Sequence, residues 1–335
     1  MTRRTRATRA AALSLIVLLT GVLVAPAAAS EALLAPGAVG MDRQVYGFFD
    51  SGDRDYMLET ADYDVLTTVA YFALVANADG TLQRVRPNGS PTSEYRAWTS
   101  DWMTQVIELA HDHGTDIVLT ISRFGWTDST RAVTVALLSD AAARQRLANQ
   151  AAAEVVARGV DGVNLDLEPM IGDLKPEFVD LLRRMRAALD SHDPDLVLTF
   201  DSTGYSSNYP IAEALADGAA DNVFIMAYPF RTRNSDRAGA MSPMGGLSFD
   251  VTEATSRIVG LSSPDKVILG LANFGFRWPT ETRYLHSLTR KNWATYGNPA
   301  SSTISRSAEL AARHGRRWDS EQLVPWTRWR SRACT

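Results

Sequence analysis

The chain has 335 residues and one cysteine, Cys334, at the penultimate position. A single thiol excludes an internal disulfide, so stability must come from a packed core. Histidine is also scarce. The five are His111, His113, His192, His286 and His314, and no two of them stand at a metal-ligand spacing. A metal site is therefore not expected. No glycine-rich GxGxxG turn follows any apolar run, which argues against dinucleotide binding. Beyond the N-terminus no apolar stretch is long enough to span a bilayer. Apart from an Arg-rich final stretch there is no basic block, and nucleic acid is not an expected partner.

What is present begins with a leader-like N-terminus. Arg3, Arg4, Arg6 and Arg9 precede an apolar run from Ala11 to Val24, and small residues at Ala27 and Ala29 follow. This pattern predicts a secretory signal peptide over residues 1–29 and an exported protein. Removing it leaves 30 basic against 38 acidic residues, a net charge of about −8. Residues 30–335 are expected to form one domain. Apolar residues at 45% and charged residues at 21% suit an ordinary globular core.

Short β-branched, apolar runs recur along the mature chain: 45–49, 65–75, 116–122, 162–168, 196–201, 222–228 and 266–276. Helical patterns separate most of them. In 139–159, Ser139 or Asp140 can cap the start and Gly159 can stop the end. In 175–194, Pro176 lies near the first turn, and Phe178, Leu181, Leu182, Met185 and Leu189 share one face. Strand and helix in alternation imply parallel strands with crossover helices, and seven such units point to a (β/α)8 barrel. Residues 280–318 are polar and turn-rich, which reads as a small insertion after the seventh strand.

The most informative stretch is Asp161-Gly162-Val163-Asn164-Leu165-Asp166-Leu167-Glu168. Strand side chains alternate faces. Val163, Leu165 and Leu167 should face the helices, and Asn164, Asp166 and Glu168 the barrel interior. Polar groups on a buried face are costly without partners. The C-terminal edge of such strands is where barrel active sites lie. Residues two apart along a strand are roughly 7 Å apart, so crowding should raise one carboxyl pKa, as a general acid requires. Paired carboxylates usually flank the bond they cleave, so two on one strand fit better if the second is not the nucleophile and the substrate supplies its own.

These residues resemble the DGxDxDxE signature of family 18 glycoside hydrolases, the chitinase family. Met226-Ala227-Tyr228 resembles that family's MxY(D), and residues 270–278 resemble its GxPxYGxxW. The stretch from Tyr228 to Gly246 looks like a bacterial branch. The resemblance implies a secreted glycosidase acting on β-1,4-linked N-acetylglucosamine polymers, chitin or wall glycan, by substrate-assisted retaining hydrolysis. Glu168 would protonate the glycosidic oxygen and later activate water. Asp166 would orient the acetamido group and stabilise the oxazolinium ion, and Tyr228 would hydrogen-bond the acetamido oxygen. Asn164, Met226, Phe48 and Trp278 are the expected substrate-binding residues. The resemblance implies no metal or cofactor, and the expected partner is the polysaccharide alone, with no membrane after leader removal and the protein a monomer.

Three features depart from the family pattern. Asn164 stands where a second Asp is usual, and Pro229 replaces the Asp after the strand-six Tyr. No eighth strand, with its sugar-floor Trp, is visible before the chain ends in WRSRACT. A barrel incomplete at the eighth position is therefore expected, with Tyr46 or Phe48 unusually exposed. A weak or binding-only relative, or a truncated product, is the alternative reading. Trp326 or Trp329 could fold back as a substitute wall.

Overall fold

The computed structural model describes residues 43–330. The proposed signal peptide and Cys334 lie outside them. Seven strands form one parallel sheet: β1 (Tyr46–Phe49), β2 (Thr68–Val75), β3 (Asp116–Phe124), β4 (Gly162–Glu168), β5 (Val197–Thr203), β6 (Asn222–Met226) and β7 (Val267–Gly270). Their spatial order is their chain order. Helices intervene: α1 (Arg54–Glu59), α2 (Ser93–Trp98), α3 (Asp101–Asp112), α4 (Asp128–Ser139), α5 (Ala141–Arg158), α6 (Lys175–Asp190), α7 (Ile211–Ala216) and α8 (Val251–Val259). This is the incomplete (β/α)8 barrel expected from the strand count.

Local chemistry sets the helix limits. The Asp140 side chain accepts from Ala142 N and starts α5. Gly159 ends it at φ 66°, a left-handed conformation that costs other residues strain. Pro176 lies in the first turn of α6, where its missing N–H is no loss. The five apolar residues read as one face of α6 are all fully buried. On β4 the alternation is as expected, with Val163, Leu165 and Leu167 fully buried in the layer that includes α5 and α6. Each such side chain contributes about 1.5–3 kcal/mol of burial.

The seventh strand differs from the reading of 266–276 as one element. Only Val267–Gly270 joins the barrel. Phe274–Arg277 is a separate strand, β8, which pairs antiparallel with β9 (Ala300–Thr303). Between them lies α9 (Trp293–Tyr296); α10 (Ile304–His314) follows, then a hairpin of β10 (Arg317–Asp319) and β11 (Val324–Trp326). A continuous apolar run thus serves two sheets, because the chain turns away at 271–273.

Among the described residues no strand joins β7 to β1. Leu269 faces outward at this edge and is 38% exposed, which is what a missing eighth unit leaves uncovered. Inside the barrel, Phe224 of β6 fills the space. Its ring lies 4.9 Å from that of Phe48 and 5.6 Å from that of Tyr46. It rests on Gly270, where a Cβ would stand 2.3 Å from the Phe224 ring, so only glycine fits. Tyr46 and Phe48 are half-buried, whereas Phe49 is buried. Neither Trp326 nor Trp329 acts as a wall here: Trp326 packs between Arg317 and Arg328, and Trp329 stacks on His314.

Candidate active site

The C-terminal ends of β3 to β6 converge on a group of acids. Asn164, Asp166 and Glu168 point inward from β4. Asn164 and Asp166 are buried, and Glu168 at the strand's edge is half-buried. β5 adds Asp201, also buried. The register pairs Asn164 with Thr199 and Leu165 with Phe200, which sets Asp201 beside Asp166 on the neighbouring strand. Neighbouring strands are about 4.8 Å apart.

A short hydrogen-bond chain orders this layer. Tyr46 Oη is 3.3 Å from Thr199 Oγ1, Thr199 Oγ1 donates to Asn164 Oδ1 at 2.7 Å, and Asn164 Nδ2 donates to Asp201 Oδ2 at 3.1 Å. Asp166 Oδ1 and Asp201 Oδ1 are buried with no partner. Burial, then the charges of Asp201 and Glu168, push the Asp166 carboxyl up to about 9. Burial also raises Asp201, against the opposing bond from Asn164, and raises Glu168. These groups hold protons where ordinary carboxyls do not.

The rest of the site surrounds them. Tyr228 follows β6 half-buried; burial raises its phenol, and the charges of Asp201, Asp166 and Glu168 raise it further. Tyr209, in the loop after β5, donates to Leu167 O at 2.8 Å and pins the end of β4. Gly125 N donates to Glu168 O. Rings of Phe48, Phe72 and Phe124 form an arc from β1 to β3, and Phe124 pairs in register with Glu168. The Glu168–Pro169 and Tyr228–Pro229 peptide bonds are cis. Among the described residues no group of three or more His, Cys, Asp or Glu is arranged to hold a metal ion.

Residues 44–332 match the model of the family described as Glycosyl hydrolases family 18. The chain belongs to this family and is a glycoside hydrolase. The Drosophila melanogaster protein named Probable chitinase 10 is 23% identical over 220 residues, 61% of this chain but 9% of that protein. The chain thus spans less than a tenth of this relative. The family 18 chitinase of Cycas revoluta, solved with (GlcNAc)3, has a TM-score of 0.68 at 20% identity over 85% of this chain and 84% of that one. The Bacillus cereus spore cortex-lytic enzyme SleL has a TM-score of 0.63 at 17% identity, covering 84% of this chain and 60% of that one. At these identities the solved structures show a shared fold.

Within this family 18 barrel, Glu168, Asp166, Asn164 and Tyr228 come together at one mouth. Met226 is the last residue of β6 and pairs with Gly270. Phe48 lies in the aromatic arc and against Phe224. Trp278 follows β8, packs on Phe276 and donates from Nε1 to Thr232 O at 3.1 Å. It therefore belongs to the β8–β9 region, while Phe274, four residues earlier, meets the Tyr228 ring edge to face at 6.1 Å. The signature's first acid, Asp161, is a structural tie: it accepts from Ile117 N and pairs with His111, both at 2.8 Å.

Asp201 and Tyr209 did not figure among the candidates from sequence. Asp201 ends an apolar run, where an acid reads as the start of a turn. The available signal was its period-2 phase with Thr199, but only the register against β4 gives that phase meaning.

Proposed function

We propose that this glycoside hydrolase is secreted and cleaves β-1,4-linked N-acetylglucosamine-containing polysaccharide, chitin or wall glycan. The sugar's own acetamido oxygen is the nucleophile. The observation that carries this reading is the placement of the carboxylates. Asp166 and Glu168 share one strand and Asp201 is on the next, so they gather on one side of the mouth. Two-carboxylate glycosidases need their pair flanking the scissile bond. A substrate-borne nucleophile removes that need.

In this mechanism Glu168, kept protonated by burial, gives its proton to the leaving oxygen. The acetamido oxygen then attacks the anomeric carbon. Asp166 accepts the acetamido N–H, and Tyr228 donates to its oxygen. Glu168, now a carboxylate, takes a proton from the water that opens the oxazolinium ion. The Cycas revoluta chitinase, solved with (GlcNAc)3, and the Bacillus cereus enzyme, named as cortex-lytic, support both candidate polymers. Export rests on the leader-like N-terminus.

Turnover of a chromogenic chitobioside tests the chemistry. Glu168→Gln is expected to cut it by about 10²–10⁴-fold, the usual worth of general acid catalysis. Near-normal turnover in that variant would exclude Glu168 as the acid. Cellulose, which lacks the acetamido group, is expected to resist; comparable cleavage would mean a nucleophile borne by the protein. Oligosaccharide binding by the wild type without any turnover would favour a binding-only protein.

A further inference from the structure

Asp201 has no place in the mechanism above, yet it is a buried acid beside Asp166. Burying one carboxylate is costly, and burying two side by side is costlier unless they share a proton. Asn164 decides how they share it. Its amide is held in one orientation, its oxygen accepting from Thr199 Oγ1 and its nitrogen donating to Asp201 Oδ2. A donor aimed at Asp201 favours the ionised form of that residue. No donor reaches Asp166 Oδ1, and Asp201 Oδ1 is likewise unpartnered.

We propose that Asp201 is a positioning residue for the reaction: it holds Asp166 in a proton-bearing form, the two sharing one proton and one negative charge. It thus supplies from β5 the carboxylate that β4 lacks at Asn164. The proton sits on Asp166 and is donated toward Asp201. The other Asp166 oxygen stays free to accept an acetamido N–H. When the acetamido oxygen attacks, the charge of the pair faces the developing oxazolinium ion. No proton has to leave the pair, so the balance of the hydrolysis is unchanged. Other titratable groups facing Asp166 are Glu168 on its own strand, Tyr228 after β6 and Tyr209 after β5.

The inference rests on Asp166 receiving the acetamido group, and its test separates the two readings. Carboxyl carbon NMR of the whole protein follows Asp166 without substrate, with Asp166→Asn assigning the signal. In the wild type this carboxyl is expected to titrate far above the ordinary Asp range. In Asp201→Asn, a nearly isosteric change, its titration is expected to fall by about one unit or more, since a like charge has been removed. In Asn164→Asp, which adds a carboxylate, it is expected to rise. An unchanged Asp166 titration in both variants would overturn the proposal even if the enzyme cleaves chitobioside. Conversely, the shifts would stand even if acetylated substrates prove inert.

Kinetics gives the second readout. Asp201→Asn is expected to lower kcat by about 10-fold or more with KM little changed, because the lost interaction develops only in the transition state. The alkaline limb of its pH profile is expected to move down. The double variant Asn164→Asp/Asp201→Asn returns a carboxylate to the layer and is expected to recover the profile. Wild-type kcat and profile in Asp201→Asn would overturn the proposal. So would a loss of kcat that leaves the profile unmoved, which marks a merely structural residue.

Discussion

Asp166 in the barrel mouth and Asp319 in the β10–β11 hairpin are equally hidden, at 2% and 1% exposed. They titrate in opposite directions. Asp166 Oδ1 has no partner, and burial with two neighbouring acids pushes the group up to about 9. Burial also works to raise Asp319, but Gln322 N and Glu321 N donate to it and His286 pairs with it at 2.7 Å, and together these hold it below the usual range. Partners and depth together set the sign: Asp166 lies deep in the barrel, whereas Asp319 is covered only by the hairpin near the surface. Asp319 stabilises structure: Gln322 beside it accepts from Ala240 N and Met244 N, tying the hairpin to the loop after Tyr228. Asp166 is left without such support where the chemistry is proposed.

The largest effect expected from this contrast is catalytic. Asp166→Asn should reduce chitobioside turnover by about 10²-fold or more, as for a lost contact to charge that develops in the transition state, while melting temperature holds or rises. A fall in melting temperature with full turnover would invert the roles given to the two acids.

Packing comes next. Leu165 on β4 is fully buried, and Leu269 on β7 is 38% exposed. Leu165→Ala is expected to cost about 2–5 kcal/mol in urea unfolding, and Leu269→Ala to stay within about 0.5 kcal/mol. Equal costs would mean that the β7 edge is covered in solution.

Asp319→Ala leaves the Glu321 and Gln322 N–H groups without their acceptor. A cost of about 1–3 kcal/mol is expected, with chitobioside kcat unchanged. Loss of kcat at full stability would show that the hairpin takes part in the chemistry.

The smallest and most discriminating effect is on pH. Asp166 is raised on folding, so its contribution is full below its ordinary value near 3.8 and is lost as pH rises toward about 9. Asp319 is lowered, so its contribution is present above about 3.8 and lost as pH falls through its folded value. Melting temperatures over a pH series should therefore lose part of their decline between pH 3.8 and about 9 in Asp166→Asn, Asp201 and Glu168 supplying the rest, and part of their acid decline in Asp319→Asn. Matching slopes in the two variants would contradict the opposite signs.

The pattern of β4 was legible because alternation along one strand sorts its residues without any knowledge of neighbours: apolar Val163, Leu165 and Leu167 to one face, Asn164, Asp166 and Glu168 to the other. The caps at Asp140 and Gly159 and the apolar face of α6 were legible for the same local reason. The open eighth position followed from counting strands. Residues 266–276 were misread as one strand, because apolarity does not say which sheet a segment joins. Trp278 was grouped with the sugar-binding residues as an aromatic in a family-like motif, and its bond to Thr232 depends on where the β8–β9 hairpin lies.

By itself the sequence determined the barrel class, the face on which the acids lie and that one cysteine forms no internal disulfide, since each depends on residues close in the chain or on composition. Tertiary structure alone decided that Asp201 stands beside Asp166, that Phe224 rather than a tryptophan fills the gap toward β1, and that Asp319 is lowered while Asp166 is raised. Each of these depends on which distant groups meet, and the energy of a buried charge is set by the donors and charges within a few ångströms of it.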